Sequence, residues 1–414
     1  MKICWLSDSP FLSTGFSDQS KRLMNYLASK GHEIHYFDHC RTGQTIMPGA
    51  ELEDGTKFNF KIYGNGARPY FQDILQTRLR EIKPDFFGVL LDTFMLMDSG
   101  FLQQDLSPAR TGIWFPSDGG SNLPMNPGRD CSLILRKVNM PVAMSKFAQA
   151  QTKQIHGIDC DYIPHGVDVD LFKPDENKRN LLRAQMGLTD KFVIGAVFRN
   201  QPRKMSDRMF KIMAIVKDKI PNAVMFCHCD PMDPAAYFDM GEMIRKFKLQ
   251  NRVIFSGMSW NKGFDYRKMP DIYQVMDMKL DTTSGEGFGI TIIESMAMEI
   301  PQLVTDFTTT QELIIDNNCG EGIKLSGTEH VNMFESGQSN YDMRMMNGTI
   351  LGSWHVERGI ADVYDGAEKI VKFYNNPELR KQYGKNGRIA VLRDYDFERV
   401  VAPAWEERIK RLCQ

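Results

Sequence analysis

Short apolar runs alternate with amphipathic stretches along most of the chain, a rhythm that predicts strands and helices laid down in turn. In the first half, strands are expected at 1–7, 33–38, 86–91, 111–115 and 140–144, with helices at 17–30, 71–81 and 146–156. The helix at 17–30 stops at Gly31, a natural terminator, and Lys30 suits the negative helix end. A turn-rich, charged stretch from Ile163 to Arg179 then reads as a connection between domains. After it the alternation restarts, with strands at 192–198, 224–228, 253–256 and 278–282 and helices at 206–219 and 290–298. Residues 326–352 lack periodicity and are rich in Asn, Ser, Gly and Met, so they read as an irregular insertion. Helical patterning returns at 363–375, 377–394 and 397–412. Strand–helix alternation of this kind predicts doubly wound parallel sheets.

Length turns that rhythm into two domains. A chain of 414 residues exceeds one ordinary core, and two domains of roughly 150–200 residues are expected. The expected division is 1–175 plus about 395–414 for the first and 176–394 for the second. A net charge of −1 supplies no global field for non-specific nucleic-acid binding. No apolar run reaches the roughly 20 residues of a membrane span, and the amino terminus reads as a strand, so a cytoplasmic protein is expected. The eight cysteines are scattered without a Cys-x-x-Cys pair, which suits free thiols in a reducing compartment. Cys227-His228-Cys229 invites a zinc reading, but lacks a second ligand pair and reads better as a packed strand.

The densest chemistry lies in Ser284-Gly285-Glu286-Gly287-Phe288-Gly289-Ile290-Thr291-Ile292-Ile293-Glu294, a glycine-rich turn between an apolar strand and a helix. At such a junction the unpaired N–H groups and positive dipole end of the helix favour phosphate, and glycine lets backbone approach a ligand. Ionised Glu286 and Glu294 accept hydrogen bonds only, which suits sugar or ribose hydroxyls. The plain alternative is a tight turn with two solvated glutamates. Glycines at 285, 287 and 289 do not make the dinucleotide fingerprint, so a nicotinamide enzyme is disfavoured. Upstream, the strand at 193–198 runs into Arg199-Asn200-Gln201-Pro202-Arg203-Lys204. Arg199 and Lys204 there suit a diphosphate that gains charge as it leaves. The competing reading is a solvated basic loop.

These blocks resemble the retaining glycosyltransferases of the GT-B fold, particularly glycosyltransferase family 4. Arg199 with Lys204 is similar to the basic pair after the first strand of that family's second domain, and Glu286 to Glu294 is similar to its two-glutamate signature with an internal Gly-Phe-Gly. Ala143-Met144-Ser145-Lys146, Ile163 to Asp168 and Phe172-Lys173-Pro174 are similar to the segment entering its linker. The resemblance implies two Rossmann-like domains facing each other across a deep cleft, with the C-terminal helix crossing back to the first.

By the same resemblance, Arg199 and Lys204 bind the diphosphate of a UDP- or GDP-linked sugar and Glu294 bonds the ribose. Glu286 holds the transferred sugar, within a donor-binding set of Gly15, Gly287, Phe288, Gly289, Ile290 and Glu294. The implied chemistry is a front-face substitution in which the departing phosphate helps deprotonate the acceptor hydroxyl. No protein nucleophile is required, in contrast to retaining glycosidases. No cofactor and no metal are expected, although Asp159-x-Asp161, Asp168-x-Asp170 and Asp394-x-Asp396 admit a metal–nucleotide reading. A nucleotide-sugar epimerase or a non-catalytic nucleotide-sugar-binding module are the alternatives.

The chain departs from the family at three places. The His-Asp pair common near the sugar is replaced by Trp114-Phe115-Pro116-Ser117-Asp118-Gly119-Gly120, leaving Asp118 as candidate acceptor contact or base, or as a turn residue. Glu299 replaces the glycine that usually comes just ahead of the proline here at Pro301, and Thr305 to Glu312 replaces a glycine-rich loop. Acceptor contacts are expected from loops 13–16, 43–48, 65–70 and 117–126. The acceptor stays open among a glycan, a glycolipid and a modified nucleic-acid base, the last because Tyr70 beside Arg68 suits base stacking as well as sugar stacking.

Overall fold

The computed structural model describes residues 1–52, 55–98, 100–119, 131–233, 236–259, 264–332 and 355–414. They form two compact units. One comprises 1–117, 131–166 and 397–414; the other comprises 118–119 and the described residues of 167–396.

The first unit is built on a seven-stranded parallel sheet in the order Lys61–Asn65, Glu33–Thr42, Lys2–Ser7, Phe86–Leu90, Arg110–Phe115, Met140–Ala143, Asp161–Tyr162. Ile3, Cys4, Trp5 and Leu6 are all fully buried, as expected when helices cover both faces of a parallel sheet. Each apolar side chain so enclosed stabilises by roughly 1.5–3 kcal/mol. The tail returns to this unit through helix Ala402–Cys413, whose Trp405 packs edge-on against Trp5 and Trp114 at 5.5 and 5.2 Å. Helix Lys146–His156 is capped by Ser145, which accepts from Ala148 N, and ends at left-handed Gly157. The strand Lys61–Asn65 was not expected, because only its central residues are apolar and Gly64 and Asn65 read as a turn.

The second unit carries a six-stranded parallel sheet in the order Val253–Phe255, Ala223–His228, Phe192–Val197, Met278–Asp281, Gln302–Thr305, Gly320–Ile323. The chain order reverses beside Phe192–Val197, between Ala223–His228 on one side and Met278–Asp281 on the other. Ligands of such sheets bind beyond the carboxyl ends of the strands at that switch point. Both expected motifs leave the sheet there, residues 199–204 after Phe192–Val197 and residues 282–289 after Met278–Asp281.

Two expectations are corrected. The charged connection runs into a helix capped by Asp175, Glu176–Gln185, whose first four residues belong to the stretch expected to be turn-rich. It shows no apolar periodicity because its anchors are arginines: Arg179 and Arg183 grip the two oxygens of Asp277 at 2.6 and 3.1 Å and bond the carbonyls of Gln274, Met276 and Val275. The expected irregular insertion begins as a strand instead, with Leu325–Asn332 pairing antiparallel to His355–Ala361. Residues 333–354 lie outside the described residues. Among the described residues no helix is long and apolar enough to cross a membrane.

Candidate active site

The Glu286 turn is stitched to the loop that carries Lys204. Ser284 N and its hydroxyl both donate to Arg203 O, at 2.7 and 3.0 Å, and the Thr282 hydroxyl donates to Met205 O at 2.9 Å. Asp281 accepts from Thr283 N at 3.0 Å, and Thr308 Oγ1 accepts from Glu286 N at 3.0 Å. That last bond gives a role to the threonine-rich segment that stands where a glycine-rich loop was expected. Gly285 has no room for a side chain, since a Cβ would lie 1.9 Å from Asp118 O. Gly289 caps helix Ile290–Ala297 in left-handed backbone at φ 109°, a region costly for other residues. No side chain caps that helix or helix Ser206–Lys219, which begins just after Lys204. Two helix amino termini therefore flank the turn, with their first-turn N–H groups lacking side-chain caps.

Glu286 is buried and ion-paired to two cations. Lys204 Nζ bonds its Oε1, and Arg203 Nη1 lies 3.0 Å from its Oε2. Burial alone would raise the Glu286 carboxyl, but the charges and hydrogen bonds of Arg203 and Lys204 outweigh it and hold the group well below the usual carboxylate range. Arg203 also donates to Gly285 O at 2.5 Å and pairs with Asp118 Oδ2 at 3.2 Å. Asp118 Oδ1 is 3.1 Å from Arg358 Nη1, on the strand His355–Ala361, and Arg358 bonds the Asp118 carbonyl as well. The expected acceptor-side carboxylate thus sits between two guanidiniums. Beneath the turn, fully buried Lys279 pairs with Asp281 at 3.3 Å, and burial pushes its ammonium below the ordinary lysine value against the pull of Asp281.

Arg199, expected on the diphosphate, directs its Nε to the buried carboxylate of Asp233 at 2.8 Å. The cations on Glu286 are Lys204, expected on the diphosphate, and Arg203, for which the sequence reading carries no role. The signal for Arg203 was present in Pro202: proline at the first position of the 3-10 turn Pro202–Lys204, followed by left-handed Met205, turns adjacent residues 203 and 204 toward one carboxylate.

Glu294, one helical face further on, is 3% exposed and held by phenols. Tyr266 donates to Oε1 at 2.7 Å and Tyr273 to Oε2 at 2.6 Å. Phe288 is buried and meets Tyr395 edge-on at 5.9 Å, so its side chain anchors the turn from below.

In the first unit, Gly15 opens helix Gly15–Ser29, capped by Thr14. The Thr14 hydroxyl donates to Asp8 Oδ2 at 2.6 Å, while Asp8 Oδ1 takes His39 Nε2 at 2.9 Å. Asp8, His39 and Cys40 bring one ligand atom each within 4.8 Å of one another. Burial would lower the His39 imidazolium, yet its bonds to Asp8 and Cys40 push it up to about 9. The bonds of Thr14 and His39 to Asp8 brace the loop before Gly15. Of the expected acceptor loops, 65–70 ends in Tyr70 and leads to Phe71, both in left-handed backbone at φ 55° and 58°, with Tyr70 over the His39 ring at 5.0 Å. His228 bonds Ser256 at 2.8 Å while Cys227 and Cys229 are buried.

Residues 178–329 match the family described as glycosyl transferases group 1. Sucrose-phosphate synthase from Thermosynechococcus elongatus has the same fold, with a TM-score of 0.73, 17% identity, and 99% of this chain and 98% of that one covered. HepE from Anabaena, in complex with UDP and glucose, aligns with a TM-score of 0.68 at 15% identity over 99% of this chain and 100% of its own. Two parallel-sheet units and these full-length matches define a GT-B fold. The match to the group 1 glycosyltransferases lies within the second unit and covers less than half of the chain. Among sequence relatives, the lipopolysaccharide core biosynthesis mannosyltransferase LpsB of Rhizobium meliloti is 23% identical over 214 residues, 51% of this chain and 58% of the relative. The match thus spans less than two thirds of that relative's length.

Proposed function

We propose that the chain transfers a sugar from a UDP- or GDP-linked donor to an acceptor hydroxyl with retention of anomeric configuration. The observation that carries this reading is the ionised Glu286 held by Lys204 and Arg203 at the sheet switch point, between two uncapped helix amino termini. Diphosphate arriving at those termini competes with Glu286 for Lys204, and the cation follows the charge as it grows on the leaving group. Glu286, released in part, accepts hydrogen bonds from the transferred sugar, while Glu294 accepts from the ribose. In a front-face substitution the donor C1–O bond breaks, the electron pair goes to the diphosphate, and the acceptor oxygen bonds C1 from the same side as its proton passes to the departing phosphate. Lys204 with Arg203, and Arg199 once drawn from Asp233, neutralise the diphosphate without a metal, so transfer is expected to persist in excess chelator.

The mannosyltransferase relative and the UDP- and glucose-bound neighbour make GDP-mannose and UDP-glucose the first donors to test. A thermal-shift screen of nucleotide sugars reads binding by mass action, and release of nucleoside diphosphate on adding acceptor reads transfer. Retention is read from the anomeric proton coupling of the product. A donor epimerised without acceptor would assign an epimerase instead, and binding without release over an acceptor panel would leave a binding module. No shift with any nucleotide sugar would refute the donor reading.

A further inference from the structure

We infer that Tyr266 and Tyr273 are positioning residues that make Glu294 a reader of ribose. The inference rests on the proposed donor reading and concerns how the nucleotide half of the donor is selected. Glu294 projects from helix Ile290–Ala297 into a region where it is 3% exposed, and a carboxylate so enclosed needs hydrogen-bond donors to stay there. Both of its oxygens receive one from a phenol, Oε1 from Tyr266 at 2.7 Å and Oε2 from Tyr273 at 2.6 Å.

These two donors are neutral, whereas Lys204 and Arg203 on Glu286 are cations. Two phenols, one on each oxygen, fix the carboxylate plane without adding a charge of their own. The phenols are themselves fixed. Tyr273 is fully buried in helix Met269–Gln274, Tyr266 lies in the turn Tyr266–Lys268 just before it, and fully buried Phe172 packs on both rings at 6.1 and 5.4 Å. Burial and the neighbouring Glu294 charge raise the Tyr273 phenol well above its ordinary value, so it remains a donor across the working pH range. A pre-set carboxylate does not lose orientational freedom when the ribose arrives, and that is the gain the phenols provide.

The test is calorimetric titration of UDP, GDP and their 2′-deoxy counterparts into the wild-type chain, Tyr273→Phe, Tyr266→Phe and the double variant, with melting temperatures in parallel. Phenylalanine keeps each ring and its packing on Phe172, so the fold is retained, and Tyr266, which is only partly buried, gives a second readout if Tyr273→Phe is unstable. We expect the wild type to favour the ribonucleotide by about tenfold or more, and the double variant to bring that ratio within about threefold. A lowered melting temperature with the ratio intact would make the phenols merely structural and overturn the inference. Binding of nucleoside diphosphate by the wild type without ribose preference would overturn it while leaving the donor reading in place. Wild-type protein that binds no nucleoside diphosphate would remove the donor reading itself.

Discussion

Glu286 and Glu294 lie eight positions apart on one turn and helix, both nearly enclosed, yet the fold holds them by opposite means. Glu286 is neutralised by Lys204 and Arg203, whereas Glu294 receives the phenols of Tyr266 and Tyr273. The difference teaches what each end of the site is built to meet. On the proposed reading, the cations that hold Glu286 turn to phosphate when it comes, which makes this the end where charge moves. On the same reading Glu294, fixed by its phenols, meets the ribose hydroxyls and takes no part in the transfer.

That contrast is broken most severely at Lys204. Lys204→Ala is expected to lower turnover by about 10²–10³-fold and to weaken donor binding as well, since the lost charge acts in both bound and transition states. Initial rates of nucleoside diphosphate release check it, and activity near wild type would take Lys204 out of the reaction. Glu286→Gln comes next. It leaves Lys204 facing an amide and should cost up to about 3–5 kcal/mol of stability, tempered because Arg203 keeps Asp118.

The pH dependence has a definite sign. The Glu286 carboxyl is depressed in the folded state, so its contribution is present above the unfolded value of about 4.3 and is lost as pH falls toward the folded one. Acid unfolding followed by circular dichroism should therefore be steeper in the wild type than in Glu286→Gln, and superimposable acid limbs would contradict the ion-pair account. A smaller effect is expected at the other end. Glu294→Gln should raise the donor KM about tenfold with kcat changed by less than about twofold, because it removes binding shared by ground and transition states. A collapse of kcat with KM unchanged would place Glu294 in the chemistry.

The smallest effect lies in the first unit. His39 is raised to about 9 by its bonds to Asp8 and Cys40 against the opposing effect of burial, so its stabilisation is whole below about 6.5 and fades as pH climbs through 9. His39→Gln should lose that alkaline decline in melting temperature. A variant that keeps the wild-type profile would show that the His39–Asp8 pair is not the titrating element.

Most of the strand–helix alternation was legible because parallel strands buried on both faces leave unmistakable apolar runs, as at Phe192–Val197, and because helix Ser206–Lys219 shows clear spacing. What escaped was held by polar chemistry or by partners far along the chain. Gly320–Ile323 has too few apolar residues to announce a strand, and helix Glu176–Gln185 turns two arginines inward. In the site, Glu286 and Glu294 were marked by their spacing around the glycines, and Lys204 by its place after the strand at 193–198. Arg203 depended on the local turn at Pro202, and Tyr266 and Tyr273 belong to a separate element whose approach to Glu294 exists only in the folded chain.

The central claim, that this turn is built for a nucleoside diphosphate sugar, is tested most directly by calorimetric titration of UDP-glucose and GDP-mannose into the wild type and Lys204→Ala. The account predicts saturable binding of at least one of them by the wild type, weakened about tenfold or more in the variant. Equal affinity in both proteins, or no binding of either donor or of its free nucleotide, would contradict it.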